Sequence, residues 1–114
     1  MAYGTRVRFE AIREAAFGTI GAAYSAVGSA TGDHTRLAAI FNSTDADVYI
    51  SLDGVTNHLR IASGSGQIFD LTTNKVRDDG LFIAQGTTFY VKRAAGAPSS
   101  GLVWIEVLYA DGGV

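Results

Sequence analysis

Short runs of alternating polar and apolar residues constrain the fold of this chain more than any other feature. The clearest run is residues 47–52, in which three aliphatic side chains share one face, and a period of two is typical of a strand with one buried face. The dipeptide Asp53-Gly54 follows at once and favours a tight turn. A second alternating run at residues 58–62 therefore completes a predicted β-hairpin.

The same strand pattern recurs along the rest of the chain, interrupted by turns rich in glycine and aspartate. Further strands are predicted at residues 5–11, 67–71, 81–84, 88–93 and 102–110. One short helical turn is predicted at residues 11–16. About seven or eight closely spaced strands predict an all-β fold, a single antiparallel β-sandwich or jelly roll, and the pattern leaves open which of the two. The 114 residues suffice for one domain.

Residues 17–32 depart from this pattern, because ten of these 16 residues are Gly, Ala or Ser. The segment has neither a helical nor a strand period, so it could form a pair of tight-packing strands or a long arm ordered on a neighbouring subunit; we expect an arm or loop engaged with a neighbour. Tyr24 and Val27, which lie within it, are candidate interface residues. We divide the chain into residues 1–35, an N-terminal strand plus a small-residue arm or loop, and residues 36–114, the β-sandwich core, within one domain overall.

The composition argues against several classes of partner. The formal net charge of −2 and the pI of about 5.5 are unlike a nucleic-acid-binding module, which concentrates basic charge on one face. The chain has no cysteine, which excludes disulfides and thiolate metal sites. It contains no apolar stretch of about 18 residues and no signal-peptide pattern at its start. We therefore expect neither a nucleic acid nor a membrane as partner.

The main enzymatic motifs are also missing. Residues 64–66 form a Gly-Ser-Gly turn without the Gly-Lys-Ser/Thr that completes a phosphate-binding loop, and no nucleophile elbow or dinucleotide fingerprint occurs. His34 and His58 lie in or beside predicted turns, and neither has the further ligands that a metal site needs. We expect a non-enzymatic protein with no cofactor, no metal and no small-molecule substrate.

Two sets of carboxylates allow alternative interpretations. Asp45, Asp47 and Asp53 follow one another closely enough for a calcium ion shared between loops, but their spacing fails the helical calcium-binding loop. We favour turn formation, in which aspartate side chains accept hydrogen bonds from nearby backbone N–H groups. Asp70 and Glu106 each interrupt an apolar strand; a glycosidase pair is one interpretation, and an outward position that limits edge-to-edge aggregation is the favoured one.

The closing strand, residues 102–110, is apolar on both faces apart from one glutamate. Its two faces are Val103, Ile105, Val107 and Tyr109 on one side, and Leu102, Trp104, Glu106, Leu108 and Ala110 on the other. We expect the first face to join the core, because three of its four residues are β-branched. Burying Glu106 without a partner is costly, so the second face is predicted to contact another subunit through Trp104, Glu106 and Leu108.

Four aromatic residues allow one further alternative. Trp104, Tyr90, Tyr49 and Phe89 are either core and interface anchors or a sugar-binding platform. We favour the first interpretation.

From Arg36 onward the chain resembles small structural proteins of tailed bacteriophage particles. The resemblance rests on residues 36–44 (RLAAIFNST), 46–54 (ADVYISLDG), 71–75 (LTTNK), 86–93 (GTTFYVKR) and 97–101 (APSSG), together with the closing strand. These pieces cover about two-thirds of the chain and leave residues 1–35 outside the resemblance.

The resemblance implies a structural subunit of the virion, assembled in the host cytoplasm. Its expected partners are copies of itself and other virion structural proteins, and the head–tail interface or tail is the preferred position. A capsid decoration protein is the nearest alternative. A carbohydrate- or receptor-binding β-sandwich module is the alternative from another functional class.

Overall fold

The structure is a computed structural model that describes residues 6–71 and 83–111. Its strands are β1 (Arg6–Phe9), β2 (Arg13–Ala16), β3 (Ser25–Ala26), β4 (Thr35–Asn42), β5 (Val48–Ser51), β6 (Leu59–Ile61), β7 (Ser65–Asp70), β8 (Tyr90–Arg93) and β9 (Leu102–Asp111). A single 3₁₀ turn, Phe17–Thr19, follows β2. The prediction of an all-β fold is confirmed. Within the described ranges, no helix has the length and apolar character needed to cross a membrane.

The strands form two antiparallel sheets. One sheet has the order β1-β9-β4-β7, and β2 also pairs with β9. The long strand β9 accommodates both, because β1 pairs with its C-terminal half and β2 with its N-terminal half. The second sheet has the order β3-β8-β5-β6. This connectivity does not by itself establish the jelly-roll alternative.

The core lies between the two sheets. Val103, Ile105 and Val107 of β9 are all 0% exposed, as are Val48 and Ile50 of β5 in the other sheet. Each buried aliphatic side chain of this size stabilises the fold by about 1.5–3 kcal/mol relative to exposure. The prediction that the Val103 face of the closing strand belongs to the core is therefore confirmed.

Strand β4 was not recognised as a strand from the sequence, although it is central in its sheet. It lies between β9 and β7, and most of its residues are buried, including Ala38, Ala39 and Ile40 in succession. Its outward-facing residues Leu37, Ala39 and Phe41 are apolar as well, so the strand lacks the polar–apolar alternation that identifies a half-buried strand. The predicted strand at 81–84 falls largely outside the described residues; within them, Ile83 forms an isolated bridge with Thr35.

The small-residue segment at 17–32 is part of the two-sheet structure, which agrees better with the alternative of tight-packing strands than with the expected arm. Strand β3 pairs with β8, and Ile20 and Val27 are buried in the core. The small residues allow a close backbone approach: Gly28 has a φ of 71°, and a Cβ there would lie 2.7 Å from Cγ of Arg13. Val27 therefore has no exposed surface to offer a partner.

The predicted helical turn at 11–16 is wrong, because Arg13–Ala16 forms strand β2. The local sequence is rich in alanine, with three among residues 11–16, and has no strand period. The strand forms through pairing with β9, where Glu14 lies opposite Trp104 and Ala15 lies opposite Val103. This pairing is non-local and leaves no trace in the short-range pattern.

Candidate assembly faces

The outer face of the five-stranded sheet carries two exposed large apolar side chains, Phe9 and Ile68, together with several half-buried ones. Residues directly opposite each other on antiparallel strands share a face, so the register of β1, β4, β7 and β9 defines this surface. We call it the Trp104 face, and it consists of Phe9, Leu37, Phe41, Ile68, Trp104, Glu106 and Leu108.

An aromatic stack lies at one end of the Trp104 face. The rings of Phe41 and Trp104 have centroids 5.1 Å apart at an interplanar angle of 24°. Phe41 lies against the backbone of Gly66, where an added Cβ would overlap its ring. A depression of about 280 Å³ adjoins the stack. The indole Nε1–H of Trp104 donates a hydrogen bond to Oε2 of Glu106 at 3.1 Å, so the glutamate has a partner while it faces outward.

The Trp104 face combines exposed apolar groups with acidic charge. Phe9 is 68% exposed and Ile68 is 64% exposed. Among the described side chains of this face and its edges, the charged ones are carboxylates, those of Glu14, Asp70 and Glu106. The structure thus brings Trp104, Glu106 and Leu108 together on one face and adds the apolar side chains of three neighbouring strands.

The outer face of the four-stranded sheet has a different chemistry. The register places Tyr49 between Lys92 and Arg60. Lys92 Nζ lies 4.8 Å from the ring centroid of Tyr24 and 5.8 Å from that of Tyr49, and Arg60 Cζ lies 5.8 Å from Tyr49. These are cation–π distances. We call the row Tyr24, Lys92, Tyr49, Arg60 the Tyr49 face.

Tyr24, a candidate interface residue, therefore lies on the opposite side of the molecule from Trp104. Its hydroxyl donates a hydrogen bond to Oδ1 of Asn57 at 2.5 Å. Partial burial, and then the negative charge of Asp53, raise the pKa of Tyr24 above its ordinary value. The five candidate interface residues are thus divided among two outer faces and the core.

The three aspartates expected to form turns all accept hydrogen bonds. Hydrogen bonds from the side-chain hydroxyl of Ser99 and, to a smaller extent, from its backbone N–H lower the pKa of Asp45. Hydrogen bonds from the backbone N–H of Ser63 and, to a smaller extent, from the side chain of Arg60 lower the pKa of Asp47. The backbone N–H groups of residues 56 and 55 lower the pKa of Asp53 well below its ordinary value. Turn formation is confirmed for Asp53, whereas Asp45 and Asp47 connect segments that are distant in the sequence.

The remaining polar candidates also have structural partners. Nδ1 of His58 accepts the backbone N–H of Leu52 at 3.0 Å, and Nδ1 of His34 accepts that of Gln85 at 2.9 Å. No group of three or more His, Asp or Glu side chains in the described part of the chain is arranged to hold a metal ion.

The two strand carboxylates and the four aromatic residues can also be placed. Asp70 and Glu106 lie on the outer face of their sheet, in the cross-strand rows of Leu37 and Ala39. The four residues considered as a sugar platform are dispersed. Phe89 is buried in the core, Trp104 is on one outer face, and Tyr49 and Tyr90 are on the other.

Comparisons with known proteins identify similar folds only. No family model matches the chain, and no curated protein matches it. A chain in the cyanophage Pam1 capsid asymmetric unit is similar with a TM-score of 0.55 and 17% identity, over 97% of this chain and 89% of that chain. A chain of the Bacillus endospore appendages, which form disulfide-linked pili, is similar with a TM-score of 0.51 and 12% identity, over 97% and 95%. At these identities the likeness shows a shared fold.

Proposed function

We propose that this chain is a non-enzymatic structural subunit of a tailed-phage virion that assembles with copies of itself and with other virion proteins. The observation that carries the proposal is the Trp104 face, on which Phe9 and Ile68 are more than 60% exposed. They lie on opposite edge strands, with the half-buried Leu108 and Leu37 between them. Large apolar areas on the outside of a folded protein mark interaction sites, and covering them contributes about 25 cal/mol per Å².

The use of the polar side chains supports a structural role. Asp53 accepts hydrogen bonds within its turn, Asp45 and Asp47 accept them from distant segments, and His34 and His58 accept backbone N–H groups. These hydrogen bonds hold the loops in place. The five side chains do not form a nucleophile–base pair with one another, and nucleophilic catalysis requires such a pair.

The fold likeness favours the capsid as the position in the particle. The sequence resemblance places the head–tail interface or tail first and capsid decoration second. The similar chain in the cyanophage capsid has nearly the same length as this one, since the match covers 97% and 89% of the two chains. We therefore propose the capsid surface as the first position and the head–tail interface or tail as the second. The pilus chain is also a subunit of an assembly, which supports self-assembly in general.

The carbohydrate-binding alternative has less support. Sugar-binding platforms need open aromatic faces, and the ring of Tyr49 lies close to the cationic groups of Lys92 and Arg60. Phe89 is buried and contributes nothing to such a surface.

Particles of the phage or prophage that encodes this chain test the proposal. They are purified on a density gradient, and the chain is quantified against the shell protein by mass spectrometry and located by immunogold labelling. A capsid-surface subunit gives a copy number comparable to that of the shell protein and label over the whole head. A neck or tail subunit gives few copies and label at one vertex or along the tail. Absence of the chain from purified particles overturns the proposed function.

A further inference from the structure

We infer that copies of this chain associate head to tail, with the Trp104 face of one copy packed on the Tyr49 face of the next. The inference deepens the proposed self-assembly and rests on it. It names the occupant of the Trp104 face as a second copy and assigns the part of that copy that makes the contact.

The charges of the Trp104 face argue against a symmetric contact between two such faces. Glu106 lies within the face, and Glu14 lies at its edge. A two-fold contact places the same patch on both sides, so these carboxylates would meet carboxylates. Like charges at close quarters are destabilising, and a half-buried Glu106 would lose water without gaining a cation.

The Tyr49 face carries the cations Lys92 and Arg60, with the carboxylate of Asp47 beside Arg60 and that of Asp53 near Tyr24. Lys92 lies over two tyrosine rings and has no carboxylate among the ion pairs found in the described residues. Arg60 is paired with Asp47 at 2.9 Å, so Lys92 is the cation left to meet Glu106. Tyrosine side chains add amphipathic contact area of the kind enriched at protein interfaces.

The geometry of the two faces dictates the type of assembly. The core lies between the sheets, so the Trp104 face and the Tyr49 face look outward in opposite directions. A contact between them is heterologous, and it repeats into a ring if the rotation closes and into a filament if it does not. The contact cannot be larger than the outer face of the four-stranded sheet, whose strands have 2, 4, 4 and 3 residues. At about 3.4 Å per residue and about 4.8 Å between strands, these cover roughly 200 Å². This is well below the roughly 800 Å² per partner of a typical stable interface, so we expect weak association that is detected only at high concentration.

Two blocking variants and their mixture test the inference. Ile68→Asp adds a charge to the Trp104 face at an exposed position, and Lys92→Glu reverses the charge of the Tyr49 face. Ala95→Asp, in the exposed loop after β8, changes neither face and is the control. Circular dichroism and urea denaturation first establish that all three fold as the parent does. Sedimentation velocity over a hundredfold range of concentration then measures association.

The parent and the control are expected to associate with the same concentration dependence. Each blocking variant alone is expected to require at least about tenfold higher concentration for half association, which corresponds to about 1.4 kcal/mol. Mixed in equal amounts, the two variants still offer one intact Trp104 face and one intact Tyr49 face. They are expected to form a dimer of one chain of each, which does not grow further.

Three results overturn the inference: a parent that stays monomeric throughout, an Ile68→Asp variant that is monomeric while Lys92→Glu associates normally, and a mixture that does not associate. The second result assigns a symmetric contact through the Trp104 face. A monomeric chain that is nonetheless found in purified particles overturns only the head-to-tail contact. An associating chain that is absent from particles overturns only the proposed virion function.

Discussion

Replacing Arg13 by methionine tests whether the N-terminal segment is an integral part of the fold. The side chain of Arg13 is only 6% exposed, and its partner Glu10 is 13% exposed. Its guanidinium donates from Nη2 to Glu10 at 2.6 Å, from Nε to the carbonyl of Ser29 at 2.9 Å, and from Nη2 to the carbonyl of Ala30 at 3.2 Å. The side chain thereby fastens the junction of β1 and β2 to the loop that follows β3.

The expected cost follows from the groups that the substitution leaves behind. Methionine preserves much of the packing of the aliphatic stem but leaves a nearly buried carboxylate and two carbonyls without their donor. Removing one partner of a buried ion pair costs about 3–5 kcal/mol. Glu10 keeps a hydrogen bond from the backbone N–H of Gly32 at 3.2 Å, so we expect the lower end, about 3 kcal/mol. Against a total stability of about 5–15 kcal/mol, this loss is large.

The matched control is Arg60→Met, which removes an arginine from an exposed ion pair. The Arg60 and Asp47 side chains are 56% and 37% exposed, and pairs of this kind contribute about 0–1 kcal/mol. Urea denaturation of both variants, followed by circular dichroism, measures the difference. If Arg13→Met costs no more than Arg60→Met, then Arg13 is not buried against the loop, and the segment at 17–32 is not held to the domain as described.

The remaining predictions concern the core, a tight turn and the acid side of the stability curve. Val107→Asp, at a fully buried position, is expected to abolish the cooperative thermal transition. Trp104→Ala is expected to keep that transition and to raise the concentration for half association about tenfold. If thermal melts and sedimentation show the reverse pattern, the two faces of β9 are misassigned. Gly101→Ala is expected to lower the free energy of unfolding, measured by urea denaturation, by at least about 2 kcal/mol more than Gly86→Ala does. The φ angles of the two glycines are similar at 85° and 88°, but only a Cβ at Gly101 would overlap a neighbouring backbone carbonyl. Equal losses of stability contradict this close approach. The lowered pKa of Asp53 means that its carboxylate stabilises the fold above the ordinary value of 3.8 and that this contribution is lost as the pH falls below it. Asp53→Asn should therefore flatten the fall of the melting temperature below that pH, and an unchanged slope contradicts the role of the carboxylate.

The sequence predicts those parts of the fold in which a strand has one face buried and one face in water. The hairpin of β5 and β6 and the inner face of β9 follow directly from alternation. Strand β4 is nearly buried throughout, and β2 and β3 are four and two residues long. Pairing with distant strands forms these elements, and no local period reveals such pairing.

The candidate site shows the same division. Alternation along β9 is enough to place Trp104 and Glu106 on one face. The addition of Phe41 and Ile68 depends on the register of β4 with β7 and β9, which the sequence does not specify. One pattern does indicate these two residues. Phe41 follows the buried Ile40, and Ile68 precedes the half-buried Phe69, so along each strand the side chains of Phe41 and Ile68 point away from the core.

Glu106 explains how an apolar face is made selective. A uniformly apolar face gains from any apolar partner, because burial of apolar area is non-directional. The Glu106 carboxylate lowers the affinity for most apolar partners, because a partner that covers it without a hydrogen-bond donor incurs the cost of desolvating a charge. The indole of Trp104 supplies one hydrogen bond to Glu106 within the monomer, and a carboxylate has capacity for more. The contact that gains most is therefore one that combines apolar area with a cation, and Lys92, seated between two tyrosines on the opposite face, has that combination.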